Sequence, residues 1–175
     1  HDALLREVDV DIEHLDSLST AGIEYIRFGR MPLVDRSEVA LPALMDAVVA
    51  HVQARTTVAI RCHCAPGVIM SVHAVAMELA LRNVLVNATR HAHEKVSVHA
   101  QVEGSRVCIR VEDDGAGIPV AYRERVFMPY VRLGNTGGGF GLGLAMVKSI
   151  VERHNGTVDI ADSGLGGAMV VLRLP

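Results

Sequence analysis

Residues 137–148 read GGGFGLGLAMVK, five glycines crowded against the start of an apolar, helix-like run. Glycine gives up more backbone freedom on ordering than any other residue, so this density costs stability. Two explanations compete. One is a flexible linker. The other is a cradle in which bare backbone N–H groups, followed by a helix N-terminus, hold an anion without any basic side chain. Two familiar phosphate fingerprints do not fit. The pair Lys148-Ser149 lacks the glycine and spacing of a P-loop, and the glycines fall as GxGxG rather than GxGxxG.

Bulk properties narrow the field. The chain has 175 residues, half of them hydrophobic, with a net charge of −3. That suits one globular domain plus an appendage. It gives no basic excess to suggest nucleic acid or an anionic membrane surface. No apolar run approaches the roughly 18 residues needed to cross a bilayer. The chain opens on His1 rather than methionine, so it reads as a fragment whose membrane segments would lie upstream. Three cysteines, Cys62, Cys64 and Cys108, are too few and too odd in number for a disulfide framework and fit a reducing, cytosolic setting. "CHC" at 62–64 lies in an alternating stretch that sends both thiols to one face and His63 to the other, as ordinary strand residues.

Working outward from the glycines, the spacing predicts helices over 42–54, 72–90 and 141–153. It predicts strands over 56–62, 94–103, 105–113, 156–162 and 168–175, with hairpins at Gly104-Ser105 and around 163–167. Residues 114–138 read as irregular. The fold class this implies is α+β, a two-layer α/β sandwich with a mixed, mostly antiparallel sheet. Residues 1–30 differ: Leu5, Val8, Ile12 and Leu15 alternate spacings of three and four among acidic residues. This is one long amphipathic helix with an unpartnered seam. A linker over 31–37 follows, then a domain over 38–175.

Two further stretches could carry chemistry. In LRNVLVNATRHA (81–92), Asn83, Asn87 and Arg90 share one helix face. An amide oxygen suits Mg²⁺, and a guanidinium pairs with phosphate; a solvated polar face is the plainer account. In VEDDGAGIP (111–119), a strand runs into Asp113-Asp114-Gly115-Ala116-Gly117. A carboxylate there accepts hydrogen bonds only and could take an adenine amino group, although a simple turn has the same composition.

Taken in order, the asparagine helix, DxGxG, RVFMPYVR (125–132) and GxGLGL resemble the catalytic ATP-binding domain of sensor histidine kinases. That domain belongs to the superfamily shared with DNA gyrase, a heat-shock chaperone and mismatch-repair ATPases. The resemblance covers about residues 35–175 and extends to ERHNGTVDI and the closing GGAMVVLRLP. It implies an N box of Asn83 and Asn87, with Asn87 holding Mg²⁺ and Asn83 and Arg90 serving the reaction near the phosphates. It implies a G1 box of Asp113, Gly115 and Gly117, flanked by Ile118, with Asp113 on adenine. It implies a lid over about 118–138 carrying Tyr130 and Arg132. It also implies a G2 box of Gly139, Phe140, Gly141, Leu142, Gly143 and Leu144 on the phosphates, with Gly137 and Gly138 as lid hinge and Lys148 as a mere surface charge.

The same resemblance casts residues 1–30 as the second helix of a dimerisation and phosphotransfer hairpin. It implies ATP and Mg²⁺ as cofactors, transfer of the γ-phosphoryl to a histidine, a response regulator as partner and a homodimer in the full-length protein. It places this piece in the cytoplasm, as part of a bacterial inner-membrane sensor, without membrane or nucleic-acid contact of its own. His1-Asp2 begins like a phosphoacceptor box, but Leu5 and Arg6 break it, so the target histidine is expected elsewhere. Phe140 stands where Thr or Ser is common, and Arg90 where Lys is. A hydrolase of the superfamily would need a glutamate base on the asparagine helix. Glu78, nine residues before Asn87, lies about 180° around the helix from it. The same motifs would also suit a serine kinase acting on anti-sigma partners, or a nucleotide-sensing module without turnover.

Overall fold

Three helices take their places from the spacing of their apolar residues. A computed structural model describes residues 22–29, 32–33, 35–133 and 139–175. Residues 22–29 are helical (α1), and residues 1–21 of the expected long helix lie outside the described residues. Helix α2 (Leu41–Gln53) has proline in its first turn, where the missing N–H costs nothing, and buries Leu41, Met45, Val48 and Val52 as one stripe. Helix α3 (Ala74–His91) starts after His73, whose Nδ1 accepts from the Ala76 N–H. It buries Met77, Leu81, Val84 and Leu85. Helix α4 (Gly143–Arg153) buries Met146, Val147, Ile150 and Val151.

These helices cover one face of a five-stranded sheet. Its strands are β2 (Ala59–Cys64), β4 (Lys95–Glu103), β5 (Arg106–Asp113), β6 (Thr157–Asp162) and β7 (Ala168–Leu174), in the order β2-β4-β5-β7-β6. The period of two sends Val96, Val98, Ile109, Val111, Val170 and Leu172 into the helix layer. The other face carries the ion pairs Arg110–Glu103 and Arg173–Asp159, and the neighbouring rings of His63 and His99. Cys62 and Cys64 share the half-buried face of β2 while His63 is exposed, as the alternation requires. Among the described residues no cluster of three or more metal-binding side chains forms.

The two-layer sandwich is thus as expected, and its sheet is mixed and mostly antiparallel as expected: β2 pairs with β4 in parallel, and the other pairings in this sheet are antiparallel. Two four-residue strands were not anticipated: β1 (Ser37–Ala40) and β3 (Ile69–Val72) pair antiparallel as a separate sheet. Residues 69–72 therefore end as a strand, and the long helix begins at Ala74 rather than at 72.

The helix layer is pinned at its base by one buried imidazole. His154 is 1% exposed, and its Nε2 accepts from the His73 N–H at 3.0 Å. Nδ1 must then be the protonated nitrogen, donating to the Ile150 carbonyl at 2.7 Å. The end of α4 is thereby tied to the start of α3. Burial pushes the His154 pKa down, although the bond to Ile150 pulls the other way.

Candidate functional site

At the opposite end, α3, the end of β5, the irregular segment after it and the start of α4 enclose a cavity of about 950 Å³. Thirteen of the residues singled out from sequence line it: Asn83, Asn87, Arg90, Asp113, Gly117, Ile118, Arg132, Gly139, Phe140, Gly141, Leu142, Gly143 and Leu144. The three sequence stretches meet in space although as many as 60 residues separate them.

Asp113 ends β5 and is 5% exposed. Its Oδ1 accepts from the Gly115 N–H at 2.9 Å and the Ala168 N–H at 3.2 Å. No hydrogen bond to Oδ2 is formed among the described residues. The carboxylate is thus held rigidly by one oxygen and offers the other to the cavity. That oxygen is an acceptor only and is open to the cavity, so it suits an N–H from a ligand.

On α3 the two asparagines differ. Asn83 Nδ2 donates to the Leu79 carbonyl at 2.9 Å, and its Oδ1 faces Gly143, where an added Cβ would lie 3.0 Å from it. Asn83 therefore sets how closely α4 approaches α3. Asn87 makes no side-chain bond among the described residues and presents its amide to the cavity. A neutral, hard oxygen of this kind fits Mg²⁺, which takes few protein ligands and keeps water and phosphate oxygens. Arg90, one turn on, lies against Gly139. Loss of solvent along the wall, and then the charge of Arg132, hold its guanidinium below its ordinary pKa. Two arginines sharing one wall repel each other, an arrangement that an anion between them would relieve.

Helix α4 opens onto this wall. No side chain caps it, and its first internal bond is the Met146 N–H to the Leu142 carbonyl, so the preceding N–H groups remain for a ligand. Gly141, φ +69°, makes the turn into the helix. A Cβ there would sit 2.7 Å from the Val131 carbonyl oxygen.

Two expected residues do not reach the cavity. Gly115 packs against the end of α3, where an added Cβ would overlap the His91 carbonyl oxygen. Its smallness serves helix–strand packing rather than ligand approach. Tyr130 has φ +66°, which lets its N–H reach the Gly141 carbonyl at 2.9 Å while its ring stays 68% exposed. Lys148, expected as a surface charge, has a side chain 43% exposed that pairs with Glu152 at 3.8 Å and lies 5.7 Å from the centre of the Phe127 ring. Residues 134–138, including the expected hinge glycines, lie outside the described residues.

His91 and His93 carry no signal of function in the sequence, yet both line the wall beside Asp113. Burial first, then Arg90, lower the His91 pKa, so its imidazole is neutral at neutral pH. Only the proximity of these histidines to the asparagine helix hinted at a place in the site.

Comparison with known proteins gives one answer. The profile described as "Histidine kinase-, DNA gyrase B-, and HSP90-like ATPase" matches residues 72–175. Sensor histidine kinase CpxA of Escherichia coli (strain K12) is 40% identical over 104 residues, 57% of this chain and 23% of that protein. Sensor protein RstB of the same organism is 38% identical over 166 residues, 90% of this chain and 38% of its own length. The chain thus spans well under half of these relatives. Among solved structures, the ATP binding domain of PrrB from Mycobacterium tuberculosis superposes with a TM-score of 0.69 at 29% identity, covering 81% of this chain and 97% of that one.

Proposed function

Because the chain belongs to the histidine kinase-, DNA gyrase B- and HSP90-like ATPase family, and within it resembles the ATP-binding domains of sensor histidine kinases, we propose that it binds ATP with Mg²⁺ and donates the γ-phosphoryl to a histidine. The observation that carries this reading is Asp113, a rigid buried carboxylate with one oxygen left for a donor. Adenine offers an amino group at its six position, and guanine offers a carbonyl. The wall formed by Asn87, Arg90, Arg132 and the uncapped start of α4 then suits the polyphosphate.

Phosphoryl transfer is mostly positioning and charge neutralisation. Asn87 is the residue that would hold Mg²⁺, which when bound offsets charge on the phosphate oxygens. Arg90 would take the γ-phosphate through its planar fork, and Asn83 keeps α4 at the distance that α3 requires. The bond from the γ-phosphorus to the bridging oxygen breaks as one to a histidine nitrogen forms, and ADP leaves. The phosphoryl group would pass on to an aspartate of a response regulator. In this reading residues 1–30 belong to a dimerisation hairpin, residues 31–37 to a linker and residues 38–175 to a cytoplasmic catalytic domain of a bacterial inner-membrane sensor that works as a homodimer. Among the described residues no helix is long and apolar enough to cross a membrane.

The test is to mix the chain with a separately produced phosphotransfer hairpin of a related sensor kinase and γ-labelled ATP–Mg²⁺. Acid-labile, alkali-stable label on the hairpin is the expected result. Label appearing only as free phosphate would replace the kinase reading with hydrolysis.

A further inference from the structure

Three consecutive acids, Glu112 and Asp113 at the end of β5 and Asp114 just after it, each gather the backbone of a different segment. Glu112 Oε2 accepts from the Ser163 hydroxyl at 3.2 Å and the Gly164 N–H at 3.0 Å, in the turn between β6 and β7. Asp113 holds the glycine turn and the start of β7. Asp114 turns the other way. Its Oδ1 accepts from the N–H groups of His93 at 2.9 Å and of Glu94 and Lys95 at 3.2 Å each, and its Oδ2 shares the Glu94 N–H at 3.2 Å.

Three successive amides converging on one carboxylate fix the conformation of the α3–β4 connection. That connection is the cavity rim: His91, Ala92 and His93 line the cavity, whereas Asp114 does not. The rim also stands beside Asp113, since the His91 carbonyl packs on Gly115 and the His91 imidazole feels the Asp113 charge. Among the described residues no hydrogen bond joins Asp114 to α4, while Arg90 directly precedes the rim on α3.

We propose that Asp114 is a positioning residue for the base end of the nucleotide: it clamps the His91–His93 rim against the Asp113 wall and leaves the polyphosphate end untouched. This rests on the reading of the cavity as an ATP site. The clamp is charge-assisted and charged at all working pH values. Against desolvation, which would raise it, the backbone bonds from Glu94, Lys95 and His93 hold the carboxyl below its usual range.

The experiment compares wild type, Asp114→Asn and Asp114→Ala in the same chain, with two probes and one ligand-free readout. Asp114→Ala is expected to weaken ATP binding by about tenfold, while inorganic tripolyphosphate, which has no base, binds within about twofold of wild type. Asp114→Asn keeps one carbonyl acceptor and should recover part of the loss. Without any ligand, amide exchange at His93, Glu94 and Lys95 should accelerate in Asp114→Ala. Unchanged exchange at these amides would overturn the clamp whatever the cavity binds. Equal losses for ATP and tripolyphosphate would overturn its confinement to the base end. A wild-type chain that takes tripolyphosphate but not ATP would overturn the nucleotide reading, and the clamp's role with it.

Discussion

At Asp113 a single carboxylate divides its labour between its two oxygens. Oδ1 is committed to two backbone N–H groups, and that commitment orients Oδ2. Asp113→Asn is the sharpest perturbation, because an amide keeps the shape but must present a donor at one of the two positions. Hydrogen bonds to charged groups contribute about 1.5–3 kcal/mol, so ATP affinity should fall at least about tenfold by calorimetry. Asn87→Ala separates the metal from the base. ATP affinity should drop in Mg²⁺ and barely change in EDTA, and equal losses in both would remove Asn87 from the metal. These residues were legible because each belongs to a local pattern whose chemistry depends on near neighbours in sequence. Asp114 was not, since its partners lie 19 to 21 residues away and only the folded chain makes it a clamp. Tyr130 departs from expectation for a related reason: its left-handed backbone turns the ring to solvent, and no sequence pattern announces that.

Among the elements, α4 runs from the cavity wall to the base of the domain. Its start depends on the left-handed Gly141 and its finish on His154. An L residue in the left-handed region costs about 1–2 kcal/mol before any clash is counted. Gly141→Ala should therefore displace the α4 start and weaken ATP and tripolyphosphate together, by at least about tenfold. At the other end, His154 is neutral in the fold because Nε2 accepts from His73. Its pKa is lowered by folding, so below about 6.5 the unfolded chain binds the extra proton first. The stability tied to neutral His154 is complete above that pH and is lost as pH falls through it towards the folded value. The melting temperature should drop between pH 7.5 and 5.5. His154→Gln should be less stable at pH 7.5 and flatter across the range; an equally steep profile would assign the effect to other groups. Long helices and alternating strands were legible from period alone. The short β1 and β3 were not, because four-residue strands such as Ser37–Ala40 carry too little pattern and exist only by pairing with each other.

For the whole molecule, the sheet acts as a frame that brings the end of β5 opposite the start of α4. Neither the parallel pairing of β2 with β4 nor the enclosure of a 950 Å³ cavity is a local property, so neither could be read residue by residue. What the sequence did carry was the spacing of helices and strands, which implied the two-layer sandwich, and the order of the motifs, which carried the family resemblance. The central claim is that this cavity reads adenine through Asp113. It is tested most directly by titrating the wild-type chain with ATP and with GTP in Mg²⁺ by calorimetry. A carbonyl opposed to the free Asp113 oxygen leaves two acceptors facing each other, so GTP should bind at least about a hundredfold more weakly than ATP. Equal affinities for the two nucleotides would contradict the account.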